Sequence, residues 1–272
     1  MLFYTLLIAG LTLLSMALRS FEHWAMVRLG NVCILCTSHL FGWVVTGSHL
    51  GGAACVALWF LLPWIDIVTR IRRLEMPATQ TIESQAPPGP SRFPALEEIT
   101  EEIELQGFEQ VEDAGWSHED QTQFVRVFAQ SKERIRATIN LVENEHVSFF
   151  YVTLRSVGPD GRVWFTWNYP FATTLKPPRH WQLQRLQEVE TFLDLLEAHR
   201  AWLAAKNVTE TTPVSADAHV MTTELEQELR SQVDHNESCG LLLKIDTGLV
   251  RYTWKGCFFL WLQHVREVLW LR

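Results

Sequence analysis

Two long stretches near the start of the chain contain only uncharged, mostly apolar residues. Residues 2–18 and 29–65 carry no charged side chain, and Gly and Ser cluster in the middle of the second stretch. A hydrocarbon core about 30 Å thick takes roughly 17–25 apolar residues per helical span, and clustered Gly and Ser favour a turn. The predicted membrane region, residues 1–73, therefore contains helices at about 2–18, 26–46 and 51–69.

Arginines at the ends of these stretches favour three spans over two. Arg19 and Arg28 lie in the first connection, and Arg70, Arg72 and Arg73 follow the last stretch. With three spans both groups face one compartment, as the positive-inside rule requires, whereas two spans, the alternative, would separate them. The sequence therefore predicts an integral protein of the plasma (inner) membrane, with its N-terminus outside and its soluble part in the cytoplasm.

Beyond the membrane region, the pattern changes to that of a folded α+β domain. Residues 76–92 hold four prolines and few apolar side chains, which is typical of a disordered linker. Within residues 93–206, apolar spacing predicts a helix at 94–106, then strands, then a second helix at 186–205. One face of an antiparallel four- to five-stranded meander should pack on both helices. The predicted strands are at 123–130, 134–142, 147–156 and 162–168.

The last part of the chain combines polar and aromatic segments. Residues 207–218 form a second predicted linker, and residues 219–272 should contain a helix, a hairpin and an amphipathic aromatic helix. In the last helix, Trp, Phe and Leu share one face. Such a helix can lie in the membrane interface, pack on the rest of the protein or bind a partner, and the sequence leaves these alternatives open.

The average composition conceals two chemically different parts. The chain is 47% hydrophobic and 20% charged, with a net charge of −8. The first 73 residues have a net charge of +3, and the remainder has a net charge of −11. An acidic remainder argues against nucleic acid as a partner, because phosphate binding needs a basic surface. The expected partners are the lipid bilayer and a cytoplasmic protein.

Motifs for catalysis or cofactor binding are absent from the sequence. No G-x-S-x-G, Walker A, H-E-x-x-H or G-x-G-x-x-G spacing occurs. Cys33 and Cys36 form a C-x-x-C near His39, but they lie in an apolar helical run, where cysteine packs as a small hydrophobe. Zinc would need two further ligands, of which His39 supplies one. The sequence therefore predicts no catalytic residue, metal or cofactor, and it favours a non-enzyme.

Aromatic and basic side chains gather around the last predicted strand and the Pro-rich loop that follows it. They either fill a small core or line a groove for a ligand or peptide. In the second interpretation, the basic side chains stand at the mouth of the groove. The candidate ligand-binding residues are Trp164, Trp167, Tyr169, Lys176, Arg179, His180 and Trp181.

Three functional hypotheses follow from these observations. The first is a non-catalytic, membrane-tethered binding or scaffold protein whose cytoplasmic α+β domain recognises a partner. The second is a membrane-bound enzyme with its site near the aromatic residues between Trp164 and Trp181. The third is a metal- or redox-linked membrane protein that uses Cys33 and Cys36. The membrane anchor and the absence of catalytic motifs favour the first hypothesis.

Overall fold

The N-terminal segment forms three long apolar helices, α1 (Leu2–Arg19), α2 (Trp24–Thr46) and α3 (His49–Thr69). Each is long and apolar enough to cross a membrane. Large side chains such as Leu13 and Leu62 are mostly exposed along them, which suits helices that face lipid. These helices are consistent with the predicted membrane-embedded region. The computed structural model describes residues 2–21, 23–118, 121–145, 147–245 and 248–269.

Small residues let the three helices approach one another closely. The Ser15 hydroxyl on α1 donates a hydrogen bond of 2.7 Å to the Gly30 carbonyl on α2. Between α2 and α3, a Cβ atom added to Gly42 would lie 2.5 Å from the Gly51 carbonyl oxygen. A Cβ atom on Gly52 would meet the backbone and ring of His39 at 2.6–2.7 Å. Small residues at such positions are the usual means of packing helices within membranes.

The contact at Gly42 gives a first prediction. We expect Gly42→Ala to destabilise the helix bundle by about 1–3 kcal/mol, because the new methyl group would press on the backbone of α3. Thermal loss of the helical circular-dichroism signal in detergent measures this change. Gly10→Ala is the matched control, since, apart from its own turn of helix, no described atom lies within 4 Å of a Cβ atom at Gly10. Equal melting temperatures for the two variants would contradict the packing described here.

The predicted linker at 76–92 contains ordered structure. It includes β1 (Glu75–Pro77) and β2 (Glu83–Ser84). The Ile82 side chain is buried, and its backbone N–H donates a hydrogen bond of 2.7 Å to the Glu226 carboxylate. A buried apolar side chain and a satisfied backbone donor give this segment a defined path, so it differs from the predicted disorder.

An α+β domain follows, with the predicted order of helix, strands and helix. Helix α4 (Leu96–Leu105) precedes the main strands, and helix α5 (Phe192–Ala205) follows them. The sheet has seven strands in the order β2-β3-β4-β5-β6-β7-β8. Its strands after β2 are β3 (Glu109–His118), β4 (Gln121–Gln130), β5 (Ile135–Glu143), β6 (Ser148–Val157), β7 (Val163–Trp167) and β8 (Trp181–Arg185).

The sheet departs from the predicted antiparallel meander at its last strand. Strands β3 to β7 form a five-stranded antiparallel meander, whereas β8 pairs in parallel with β7, Val163 opposite Trp181. This corrects the prediction, which treated the Pro-rich segment after β7 as loop throughout. The prolines lie in the connection, and residues 181–185 contain none. A proline-free segment can donate every backbone N–H to a sheet.

Helix α5 starts six residues later than predicted because a cap fixes its beginning. The Thr191 hydroxyl oxygen accepts a hydrogen bond of 3.2 Å from the Asp194 backbone N–H. Such a side-chain cap satisfies a donor that the first helical turn leaves free. Leu186 and Val189, which were predicted to lie in the helix, pack against the core from the preceding loop.

The two faces of the sheet are covered by different helices. As predicted, one face packs on both α4 and α5. The other face carries Val125, Val127 and Ala129, which pack on Met221 of α6 (Ala218–Ser238). The main core combines side chains of α4, α5 and the sheet: Leu96, Ile103, Phe124, Phe128, Ile135, Ile139, Leu154, Phe192, Leu195 and Leu196.

The C-terminal segment contains β9 (Leu242–Lys244), β10 (Leu249–Tyr252) and α7 (Trp254–Leu269). Strands β9 and β10 are adjacent in a small sheet of order β1-β10-β9, consistent with the predicted hairpin. Residues 246–247, in the turn of that hairpin, and residues 270–272, at the end of the predicted aromatic helix, lie outside the described residues.

The chain divides into two compact units, and α7 belongs to the same unit as the apolar N-terminal helices. The Trp261 indole N–H donates a hydrogen bond of 2.8 Å to the Phe60 carbonyl of α3. Phe60 follows Trp59, whose carbonyl lacks its usual helical donor because Pro63 has no N–H. The Trp64 ring meets the rings of Phe258 and Trp261 at 6.4 and 6.1 Å. Among the alternatives for the aromatic helix, the structure therefore shows packing on the apolar helices.

Candidate functional site

The aromatic residues of the predicted groove divide between the two faces of the sheet. Trp164 is 4% exposed, and its ring lies 4.9 Å from that of Trp202 on α5. Trp167 lies on the opposite face because side chains alternate along a strand. It stacks on Tyr169 at 5.3 Å, and Tyr151 packs edge-on against both rings. Burial, with a smaller effect of Tyr169, raises the pKa of Tyr151, as expected for a packed phenol.

The remaining predicted residues lie where the Pro-rich loop meets α6. Trp181 begins β8, and its ring packs on Phe165 at 4.8 Å. Arg179 and His180 precede it and are exposed. They contribute to an open cavity of about 530 Å³, here called the basic groove. Its lining residues are Pro178, Arg179, His180, Gln227, Arg230, Ser231, Asp234, His235 and Ser238. The structure thus brings together two of the seven predicted residues in this groove, with Lys176 near it.

A buried amide attaches the Pro-rich loop to α6. The Asn236 side chain is fully buried, and its oxygen accepts a hydrogen bond of 2.8 Å from the Lys176 backbone N–H. Its nitrogen donates to the Lys176 and Gln232 carbonyls at 2.8 and 2.7 Å. Because the Asn236 amide binds both the N–H and the carbonyl of Lys176, it holds the loop against the helix. These hydrogen bonds therefore set the distance between the two walls of the basic groove.

Cationic side chains dominate the electrostatics of the groove. The pKa of His235 is lowered, first by burial and then by the positive charges of Lys176, Arg179 and His180. The one acidic lining residue, Asp234, is already close to two cations, at 3.8 Å from Arg230 and 3.7 Å from Lys244. Arg179 has no carboxylate within ion-pair distance in the part of the chain that the structure describes. The groove therefore has unbalanced positive charge within an acidic domain.

This arrangement suits the binding of an anion better than nucleophilic catalysis. Guanidinium groups, imidazoles and the hydroxyls of Ser231 and Ser238 can all donate hydrogen bonds to a carboxylate or phosphate. The Cys239 sulfur does lie 3.5 Å from His235 Nε2, as in a thiol–imidazole pair. However, burial and then the surrounding cations lower the pKa of His235, which disfavours an imidazolium as the partner of a thiolate.

Sequence reasoning missed the α6 wall of the groove. The signal was present in the spacing of Gln227, Arg230, Asp234 and Ser238, which places polar side chains on one helical face. That pattern is also typical of any solvent-exposed helix. Only the position of the Pro-rich loop distinguishes a binding wall from an ordinary polar surface, and that position depends on the parallel pairing of β8.

The C-x-x-C of the third hypothesis lies within α2. The His39 ring contacts His49 of α3: its Nε2 atom is 3.4 Å from His49 Nδ1, and the two rings stack at 5.7 Å. All five cysteines are free. Within the described ranges, no three His, Cys, Asp or Glu side chains gather as a metal site.

Comparison with known proteins adds no functional information. No protein family, curated protein or solved structure matches this chain.

Proposed function

We propose that this chain is a membrane-tethered, non-catalytic binding protein whose α+β domain holds an anionic group of a partner in the basic groove. The observation that carries the proposal is the convergence of Arg179 and His180 on Arg230 and His235. This cationic site lies in a part of the chain with a net charge of −11. The local cations can attract one anionic group at short range, while the surrounding acidic surface repels extended anionic surfaces, and this contrast favours a specific ligand.

The proposed location is the cytoplasmic side of the plasma (inner) membrane, with the N-terminus outside. Three helices of sufficient length support this orientation, because three spans would leave Arg19, Arg28 and the arginines after α3 on one side, as the positive-inside rule favours. The Arg70 guanidinium pairs with Asp66 at 2.9 Å, as the i,i+4 spacing predicts. The Arg72 guanidinium lies 4.2 Å from the centre of the Trp254 ring, an arrangement typical of a membrane–water interface.

Removing one cation from the groove should weaken anion binding selectively. We expect Arg179→Ser to reduce affinity for inorganic phosphate, or for a peptide containing phosphoserine, at least about tenfold, because a hydrogen bond to a charged group contributes roughly 1.5–3 kcal/mol. Isothermal titration of the full chain in nanodiscs of neutral lipid measures both affinities. Neutral lipid is required because anionic headgroups would compete for the same groove. Tighter binding of the peptide than of phosphate would identify a protein partner.

Arg200→Ser provides the matched control for this titration. Arg200 lies on α5, which covers the sheet face opposite to α6, and it pairs with Glu133 at 2.6 Å. Its loss should leave both affinities unchanged. If neither probe binds the unaltered protein, or if both arginine variants weaken binding equally, the basic groove is not the binding site. A rise in affinity at low salt should accompany specific binding, since the interaction is electrostatic.

A further inference from the structure

A second cavity lies where the pairing of β2 with β3 ends. The two strands are paired at Glu83↔Gly115 and Ser84↔Ala114. The same register would next place Ile82 opposite Trp116 and Thr81 opposite Ser117, but the ladder does not continue to them. The opening between the chain and the strand edge has a volume of about 500 Å³, within the range of small-molecule sites, roughly 300–1,000 Å³.

The walls of this cavity are polar and carry little charge. Hydroxyl groups, two glutamine amides and one indole ring contribute to them, and Glu83 and His118 are the only ionisable lining residues in the described part of the chain. Gly115 makes room for one of the amides, since a Cβ atom there would lie 1.9 Å from the Gln85 side-chain oxygen. The lining residues are Pro77, Thr79, Gln80, Thr81, Glu83, Ser84, Gln85, Gly115, Trp116, Ser117 and His118.

Two buried polar atoms of the lining residues lack a hydrogen-bond partner. These are the side-chain oxygen of Gln80 and the Nε2 atom of His118, and neither has a partner among the described residues. A buried polar atom without a partner costs about 1–3 kcal/mol in general, so native structures rarely retain one. Both atoms are closed off from the cavity in this structure, and rotation of either side chain would present an oxygen acceptor or an imidazole nitrogen to a ligand that both donates and accepts hydrogen bonds.

We propose that this cavity binds a neutral polyhydroxyl molecule of the sugar class. Each sugar hydroxyl donates one hydrogen bond and accepts others, which is the capacity that amides, hydroxyls and an imidazole complement. The C–H face of a sugar ring suits an aromatic wall, and Trp116 supplies an indole to the cavity. An anionic ligand fits less well, because Glu83 would repel it and no arginine or lysine lines the cavity within the described residues.

Saturation-transfer NMR of the full chain in detergent micelles tests this proposal. The probes are D-glucose, D-galactose, N-acetyl-D-glucosamine and maltose at millimolar concentration. We expect a transfer signal from at least one sugar, lost in Gln80→Ala and retained in Gln187→Ala. Gln187 lies in the loop before α5, where its amide donates a hydrogen bond to the Pro170 carbonyl. Gln187→Ala is therefore the same substitution at a residue that does not line the cavity. Absence of signal from every probe, or a signal that survives Gln80→Ala, would overturn the proposal.

A second variant distinguishes loss of sugar binding from loss of the fold. Thr81→Val removes one lining hydroxyl from an exposed residue and keeps the side-chain shape. If hydrogen exchange shows that Gln80→Ala unfolds β2 and β3, the outcome with Thr81→Val decides: a weakened signal supports the site and an unchanged signal rejects it. Phosphate binding in the basic groove should be unaffected by either variant, so failure at one site is distinguishable from failure at the other.

Discussion

Replacing Glu228 by glutamine should detach α6 from the sheet and lower the free energy of unfolding of the α+β domain by about 3–5 kcal/mol, the usual cost of breaking a buried ion pair. Glu228 is 15% exposed in its side chain and lies within 2.5–2.6 Å of two arginines, Arg136 and Arg155. Glutamine keeps the volume of the side chain, but it removes the charge and replaces one acceptor oxygen with an N–H donor. The expected loss therefore measures the electrostatic and hydrogen-bonding role of this carboxylate.

The two arginines depend on α6 because they occupy directly opposite positions on β5 and β6. Like charges at such positions destabilise a sheet, and the Arg136 side chain is only 2% exposed. Burial lowers the pKa of Arg155, and the charge of Arg136 lowers it further, whereas Glu228 and Glu224 oppose both effects. Glu224 lies 3.3 Å from each arginine. The acidic face of α6 thus neutralises a repulsive arginine pair that the sheet could not bury alone.

Hydrogen exchange in the full chain, followed by mass spectrometry, separates the two expected consequences. Amides of α6 report its detachment, and amides of β5 and β6 report unfolding of the sheet. Asp160→Asn is the matched control, because it also converts a carboxylate to an amide but in an exposed pair with Arg162, worth less than about 1 kcal/mol. Adding Arg136→Met to Glu228→Gln should restore part of the lost stability. No restoration would show that the arginine pair is not the source of the effect.

The sequence predicts well those parts of the structure that depend on neighbouring residues. The apolar stretches before Asp66 predict the three N-terminal helices, because membrane length and hydropathy act on each stretch by itself. Alternation along β5 and the turn before β7 predict two adjacent strands for the same reason. The α+β order of helix, meander and helix follows from these local signals.

Features that join distant segments could not be predicted in this way. Pairing of β8 with β7 brings Arg179 towards α6, and cross-strand register places Arg136 beside Arg155. Neither relation has a local pattern, since a strand can pair on either edge and in either direction. The predicted site consequently contains two residues of the basic groove, but it also includes Trp164, which packs on the opposite face of the sheet.

Acidification should destabilise the α+β domain through one buried histidine, His199. Its side chain is fully buried, with Nε2 at 3.0 Å from the Ser156 hydroxyl and Nδ1 at 2.8 Å from the Thr166 hydroxyl. Burial lowers the pKa of His199 from 6.5 to about 4, with Arg200 adding to this effect and Glu133 opposing it. The folded domain therefore keeps this imidazole neutral under conditions in which the unfolded chain protonates it.

The sign of the effect follows from proton uptake. Above pH 6.5 both states hold a neutral imidazole, so His199 adds no pH dependence. Between pH 6.5 and about 4 the unfolded state binds a proton that the folded state does not, and stability falls as the pH falls. The full loss is about 3 kcal/mol, at 1.36 kcal/mol per pKa unit. Below pH 4 both states are protonated, and the contribution of His199 stays constant.

A non-titrating replacement isolates this contribution from that of the acidic residues. His199→Gln retains a hydrogen-bonding group beside Ser156 and Thr166 but cannot gain a proton, so its stability should decline less between pH 6.5 and 4 than that of the unaltered protein. The protection of β6 and β7 amides from hydrogen exchange, corrected for the intrinsic effect of pH on exchange, gives the slope of stability against pH for each protein. His219→Gln on the exposed surface of α6 should keep the original slope, because His199 is still present. Equal slopes in all three proteins would mean that His199 does not control the acid sensitivity of the domain.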